Sequence, residues 1–140
     1  MIPEKQAAIE AIEAKRDVIT DVADHIWEYA ELSLQEEKSA ALYCEVLERE
    51  GFQVEKGICG IETAFSATYG SGRPLIGILA EYDALSGLSQ KAGSLIREEL
   101  VPGGCGHGCG HNLLGAGAMA AAIGIRAYLK QSKMPGTVIF

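Results

Sequence analysis

Behind Pro3, whose missing N–H suits the first turn of a helix, Ile9, Ile12, Ile19, Ile26 and Trp27 recur on one helical face. The spacing predicts one long amphipathic helix over about residues 3–30. Ser33 with Glu36 three positions on reads as a capping box for a second helix. Leu42, Val46 and Leu47 form its inner stripe, and Gly51 is a natural C′ terminator. Apolar and polar residues alternate over 52–56, and a second strand-like run covers 62–69. The segment GSGRP then predicts a turn, with Pro74 placed ahead of the next strand.

LIGILA, residues 75–80, is apolar at alternating positions of both faces, the pattern of a central strand covered above and below. Helices and strands in this order predict an α/β layered sheet. Residues 81–110 form a long, glycine-rich connection in which 91–100 suit a short helix; connections of that length usually carry function. Asn112 opens an Ala/Gly-rich helix to about Gln131, and Pro135-Gly136 turns the chain into the strand start TVIF. The most apolar stretch, residues 113–125, is short of the roughly 20 residues a membrane span needs and reads as a buried helix. Phe140 falls inside an expected buried strand, so the chain is expected to be truncated. No internal repeat or low-complexity tract interrupts it.

Composition narrows the classes. With 140 residues and 48% hydrophobic content the chain has material for one ordinary core. Its formal net charge of −7 disfavours nucleic acid and anionic membrane as partners, since both need clustered basic surface. The start, MIPEKQAAIE, has no basic segment followed by an apolar core, so no secretory signal is read there. Four cysteines without such a signal are expected to be reduced thiols in a cytoplasm, with a metal role open for any that cluster.

The chemistry concentrates in GGCGHGCGHN, residues 103–112, where Cys105, His107, Cys109 and His111 alternate with glycines. Thiolate sulfur and imidazole nitrogen are donors preferred by zinc and its neighbours. Glycine lets side chains two apart converge on one ion, and the start of the next helix favours a thiolate. Structural zinc sites usually space their cysteines by two residues, so three other readings stay open. These are a glycine loop with incidental thiols, a small structural-zinc module using all four side chains, and a cysteine hydrolase built on Cys109 with a neighbouring histidine. Asp83 and Glu81 lie just past the apolar strand, where open α/β sheets place their ligand sites. The loose G-x-G-x-x-A match at 115–120 falls inside a helix and is packing, not a dinucleotide fingerprint. His25, Cys44 and Cys59 have no partner at ligand spacing.

The blocks WEYAELSLQEEKSA, GIETAFSATYGSG, GILAEYDALSGLSQ and GHGCGHNLLGAG resemble successive segments of the M20 amidohydrolases, most of all the aminobenzoyl-glutamate hydrolase branch. The resemblance implies a three-layer αβα catalytic domain with a mixed central sheet. Residues 1–140 would be the N-terminal portion of its metal-binding part, without the lid or dimerisation domain. It makes Cys109 and His111 metal ligands and gives Asp83 a supporting catalytic role at a centre of two divalent ions, Zn or Mn. Those ions would activate a water towards the amide bond of an N-acyl amino acid or dipeptide-like small molecule. The general-base glutamate belongs to a P-A-E-E segment expected after GTVIF, so this portion alone is expected to be inactive. The parent is expected to be a homodimer or hetero-oligomer. Two positions depart from the wider pattern: Ser86 stands where a Pro usually follows D-A-L, and Asn112 where the hippurate-hydrolase branch has Asp.

Overall fold

The computed structural model describes residues 2–140. The first apolar stripe is carried by two helices, α1 (Pro3–Glu13) and α2 (Arg16–Tyr29), not by the single helix predicted. The ladder breaks at Ala14 and Lys15, where Lys15 has φ −108° and ψ 10°. Both helices pack against the same later helix, so the stripe continues across the break. Periodicity reports which face is buried, not whether the hydrogen-bond ladder is continuous.

Helix α3 (Glu37–Arg49) starts later than the Ser33 capping box predicts, and its N-cap residue makes no side-chain bond. The cap comes instead from Glu31, whose carboxylate accepts from the backbone N–H of Lys38 (3.0 Å) and Ser39 (2.9 Å) and from the Ser39 hydroxyl (2.7 Å). A carboxylate at that end also meets the positive pole of the helix. The predicted terminator holds: Gly51 has φ +84°, its N–H donates to Glu48 O (2.9 Å), and Phe52 N–H donates to Leu47 O (3.0 Å), a Schellman closure.

Strands β1 (Gln53–Lys56), β2 (Phe65–Ser71), β3 (Leu75–Gly77) and β4 (Gly136–Ile139) form one mixed sheet in the order β1-β2-β4-β3. The β1/β2 and β2/β4 pairs are antiparallel and β3/β4 is parallel. The predicted α/β class with a mixed sheet is therefore what the structure has. The LIGILA strand, expected in the centre, lies instead at the edge, with Leu75 61% and Leu79 85% exposed. Its two-faced apolar pattern suits a strand covered on both sides, and among the described residues helices cover one side. There α3 packs on β1 and β2, while α4 (His111–Ser132) packs on β2, β4, α1 and α2. Phe65, Ala67, Tyr69, Val138 and Phe140 face the helices, as strand alternation and register require.

The segment after β3 is fixed by Tyr82. Its ring lies 5.2 Å from that of buried Tyr43 and 6.2 Å from that of Phe65, and its hydroxyl donates to Thr63 O. With Tyr82 turned into the core, its neighbours Glu81 and Asp83 are available on the other side. The short helix predicted over 91–100 is absent. The Gln90 amide binds that stretch instead, donating to Ile96 O (2.9 Å) and accepting from Glu98 N–H (3.1 Å), which takes up the backbone groups a helix would have paired.

Candidate metal centre

The glycine loop is held by backbone pairing. Leu85 and Gly106 exchange N–H···O bonds (2.9 and 3.0 Å), and Ser89 N–H donates to Gly104 O (3.0 Å). Close approach decides one of its glycines: a Cβ on Gly106 would lie 2.1 Å from Leu88 O, whereas one on Gly108 would meet only the end of the exposed Leu88 side chain, 2.5 Å from Cδ1, which can turn aside. Gly106 is small because the backbone of Leu88 presses on it, beyond any need for flexibility. On the other side, Ala84 N–H donates to Glu31 O (2.7 Å), so the carboxylate that caps α3 belongs to the residue that also anchors the Asp83 segment.

This scaffold brings Asp83 to His111, the first residue of α4. His111 Nδ1 lies 2.7 Å from Asp83 Oδ1, and its Nε2 lies 3.2 Å from Glu81 Oε2. A neutral imidazole has one N–H and one lone pair. With Nδ1–H donated to Asp83, the Nε2 lone pair faces a carboxylate, an arrangement that a cation between them satisfies. A ligating histidine tied through its other nitrogen to a carboxylate is the usual supporting pattern of a metal site. Glu81, Asp83 and Glu36 also line a cleft of about 530 Å³ with Tyr82, Phe140 and His111, and no Lys or Arg lines it among the described residues. Its donors and its charge both fit a divalent cation.

Cys109 is free and exposed at the turn into α4. Among the described residues no three His, Cys, Asp or Glu side chains converge as a complete cation site. His107 points elsewhere, its Nε2 2.9 Å from Ile26 O, and burial pushes its pKa below the ordinary histidine value. The structure therefore brings His111, Asp83 and Glu81 together and does not assemble Cys105, His107, Cys109 and His111 around one point. That geometry disfavours the structural-zinc module. His25 is a surface residue bonded through Nδ1 to Asp21 O (2.8 Å).

Sequence reasoning missed Glu31 and gave Glu36 a different role, that of capping-box partner to Ser33. The first is recognisable only through the Ser39 it bonds eight residues on. The second is 7% exposed, and its Oε2 has no hydrogen-bond partner among the described residues. The spacing to Ser33 singles out Glu36 from its exposed neighbour Glu37 but says nothing of its place in the cleft.

No family model matches the chain. The chain is 48% identical over 131 residues to one of the subunits of p-aminobenzoyl-glutamate hydrolase from Escherichia coli strain K12, a match that spans 94% of this chain and 27% of that protein. It is 28% identical over 144 residues to human Xaa-Arg dipeptidase, spanning 94% and 29%. Among solved structures, a protein from methicillin-resistant Staphylococcus aureus described as an aminohydrolase superposes with TM-score 0.75 at 25% identity, over 96% of this chain and 33% of that one. A dinuclear metal-binding peptidase of the M20 family from Bacillus subtilis gives TM-score 0.73 at 25% identity, over 91% and 34%.

In sequence and in fold the chain resembles the M20 hydrolases, as its motif blocks implied. Within that class its likeness to the p-aminobenzoyl-glutamate hydrolase polypeptide is the stronger of the two sequence matches, and the chain spans about a quarter to a third of the length of these relatives.

Proposed function

We propose that the chain supplies one side of a divalent-metal centre in an enzyme that hydrolyses the amide bond of an N-acyl amino acid, with aminobenzoyl-glutamate as the substrate type. The observation that carries this reading is His111 held between Asp83 and Glu81 at the mouth of an acidic cleft. The 48% identity to the aminobenzoyl-glutamate hydrolase polypeptide and the dinuclear description of the Bacillus relative support it.

In this reading His111 and Cys109 hold metal. Asp83 fixes the ring of His111 so that Nε2 is presented to the ion, and Glu81 adds negative charge beside it. Bound there, divalent ions, Zn or Mn, supply Lewis acidity and a water of lowered pKa. Tyr82 and Phe140, whose rings belong to the core, border the cleft beside the site. The general base and the remaining donors come from outside these 140 residues, so the chain by itself is inactive. The partner is a small molecule, the compartment cytoplasmic, and the assembly a homodimer or hetero-oligomer.

Metal analysis of the full polypeptide, as wild type and as Cys109→Ser, tests the reading. The expected result is loss of bound metal in the variant together with loss of aminobenzoyl-glutamate hydrolysis. Unchanged stoichiometry in Cys109→Ser contradicts it.

A further inference from the structure

The two residues flanking the Cys109-Gly110-His111 tripeptide most closely on the polar side are used for something other than holding a cation. His107, two positions before Cys109, has its Nε2 2.9 Å from the carbonyl of Ile26. Asn112, directly after His111 and buried, donates from Nδ2 to the carbonyl of Ala23 at 3.2 Å. Ala23 and Ile26 are three residues apart on α2, hence on one face and about one turn from each other. We propose that His107 and Asn112 are positioning residues that clamp the glycine loop onto the last turns of α2 and so preset Cys109 and His111 for the ion. The proposal rests on the metal-centre reading above.

Three facts support the clamp. First, the stretch it brackets contains Gly108 and Gly110, the latter at φ +77°, and a glycine-rich backbone loses the most freedom when fixed, so it needs ties at both ends. Second, the Nδ1 atom of His107 is buried with no hydrogen-bond partner among the described residues, which leaves the Ile26 carbonyl as the ring's polar anchor. A carbonyl accepts only, so Nε2 must carry the proton. Third, Val22, Ala23 and Ile26 are the buried residues of α2, so the anchor is part of the core and does not move with the surface. The same geometry gives Asn112 a purpose. An amide donates to the Ala23 carbonyl, whereas an ionised carboxylate at that position has no proton to give.

The test is Zn²⁺ titration of the full polypeptide by calorimetry, with urea unfolding of the metal-free protein run in parallel. His107→Phe keeps the ring bulk and removes the donor, and Asn112→Leu does the same for the amide. Each is expected to weaken Zn²⁺ binding about tenfold or more, the range for losing a group that orients ligands. His107→Gln, which retains an N–H at similar reach, is expected to bind within about threefold of wild type. A group with only a bulk structural role would lower the urea midpoint without this pattern of loss and rescue. Wild-type affinity in both His107→Phe and Asn112→Leu overturns the clamp, as does a His107→Gln variant as weak as His107→Phe. Should His107→Phe fail to fold, Asn112→Leu against His107→Gln makes the same decision. A wild-type protein that takes up no Zn²⁺ fails at the metal-centre reading itself, a result distinct from equal affinities across the series.

Discussion

Helix α4 carries two charged clusters, and they are built on opposite principles. Towards its C-terminal end Arg126 reaches Glu50, whose side chain is 7% exposed. Arg126 Nη2 lies 3.0 Å from one carboxylate oxygen, Arg126 Nη1 donates to the Glu50 carbonyl, and Lys15 Nζ lies 2.5 Å from the other carboxylate oxygen. Some fifteen residues earlier, about 22 Å along the helix, one imidazole faces two carboxylates. The first cluster places two cations on one acid and leaves no unmet demand on the carboxylate. The second places two acids on one ring that is at most singly charged, beside a cleft with a further acid. A buried carboxylate surrounded by donors is a structural joint, whereas two carboxylates on one imidazole leave negative charge over whether or not the ring is protonated, a surplus that a bound cation can balance. The difference shows why burial and pairing alone do not mark a site: the sign of the charge left over does.

The largest effect is expected where the compensated cluster is broken. Arg126→Met should cost about 3 kcal/mol in urea unfolding, the lower end for removing one partner of a buried pair because Lys15 remains. Metal uptake by the folded variant should be unchanged. A loss below about 1 kcal/mol would mean the joint is not structural, and altered metal affinity would couple the two clusters that the comparison separates. Asp83→Asn should do the reverse. The carbonyl oxygen still accepts from His111, so folding changes by less than about 1 kcal/mol, while loss of the charge that orients and polarises the ring should weaken metal binding about tenfold to a hundredfold by calorimetric titration. Equal affinity for Asp83→Asn and wild type would move Asp83 from the metal site to the fold.

Much of this was legible in the chain, for reasons that differ by element. Gly51 was readable because a helix that must end in a left-handed residue has few alternatives. The start of α4 and the two flanking acids were readable because strand end, glycine loop and helix start occur in that order. The break between α1 and α2 was not, since both halves bury the same stripe against α4. Nor was the cap of α3: the chain reaches it through Ala30 and Leu34, two non-glycine residues at φ 44° and 66°, and Glu31 acts across that turn. Local pattern registers neither a left-handed leucine nor a cap supplied from outside the helix. In the glycine loop the composition suggested freedom, but the structure uses Gly106 for close contact with the backbone of Leu88, a tertiary reason invisible to spacing. The roles of His107 and Asn112 were hidden likewise, because their partners are carbonyls on α2 more than eighty residues away in sequence.

The central claim is that Cys109 and His111 grip the same divalent cation. Its most direct test is the near-ultraviolet and visible absorption of the Co²⁺-substituted full polypeptide, where a thiolate bound to cobalt gives a charge-transfer band. The account predicts that band in the wild type, its disappearance in Cys109→Ser, and its loss or displacement in His111→Ala. A spectrum without the band in the wild type, or one that persists unchanged in either variant, would contradict it.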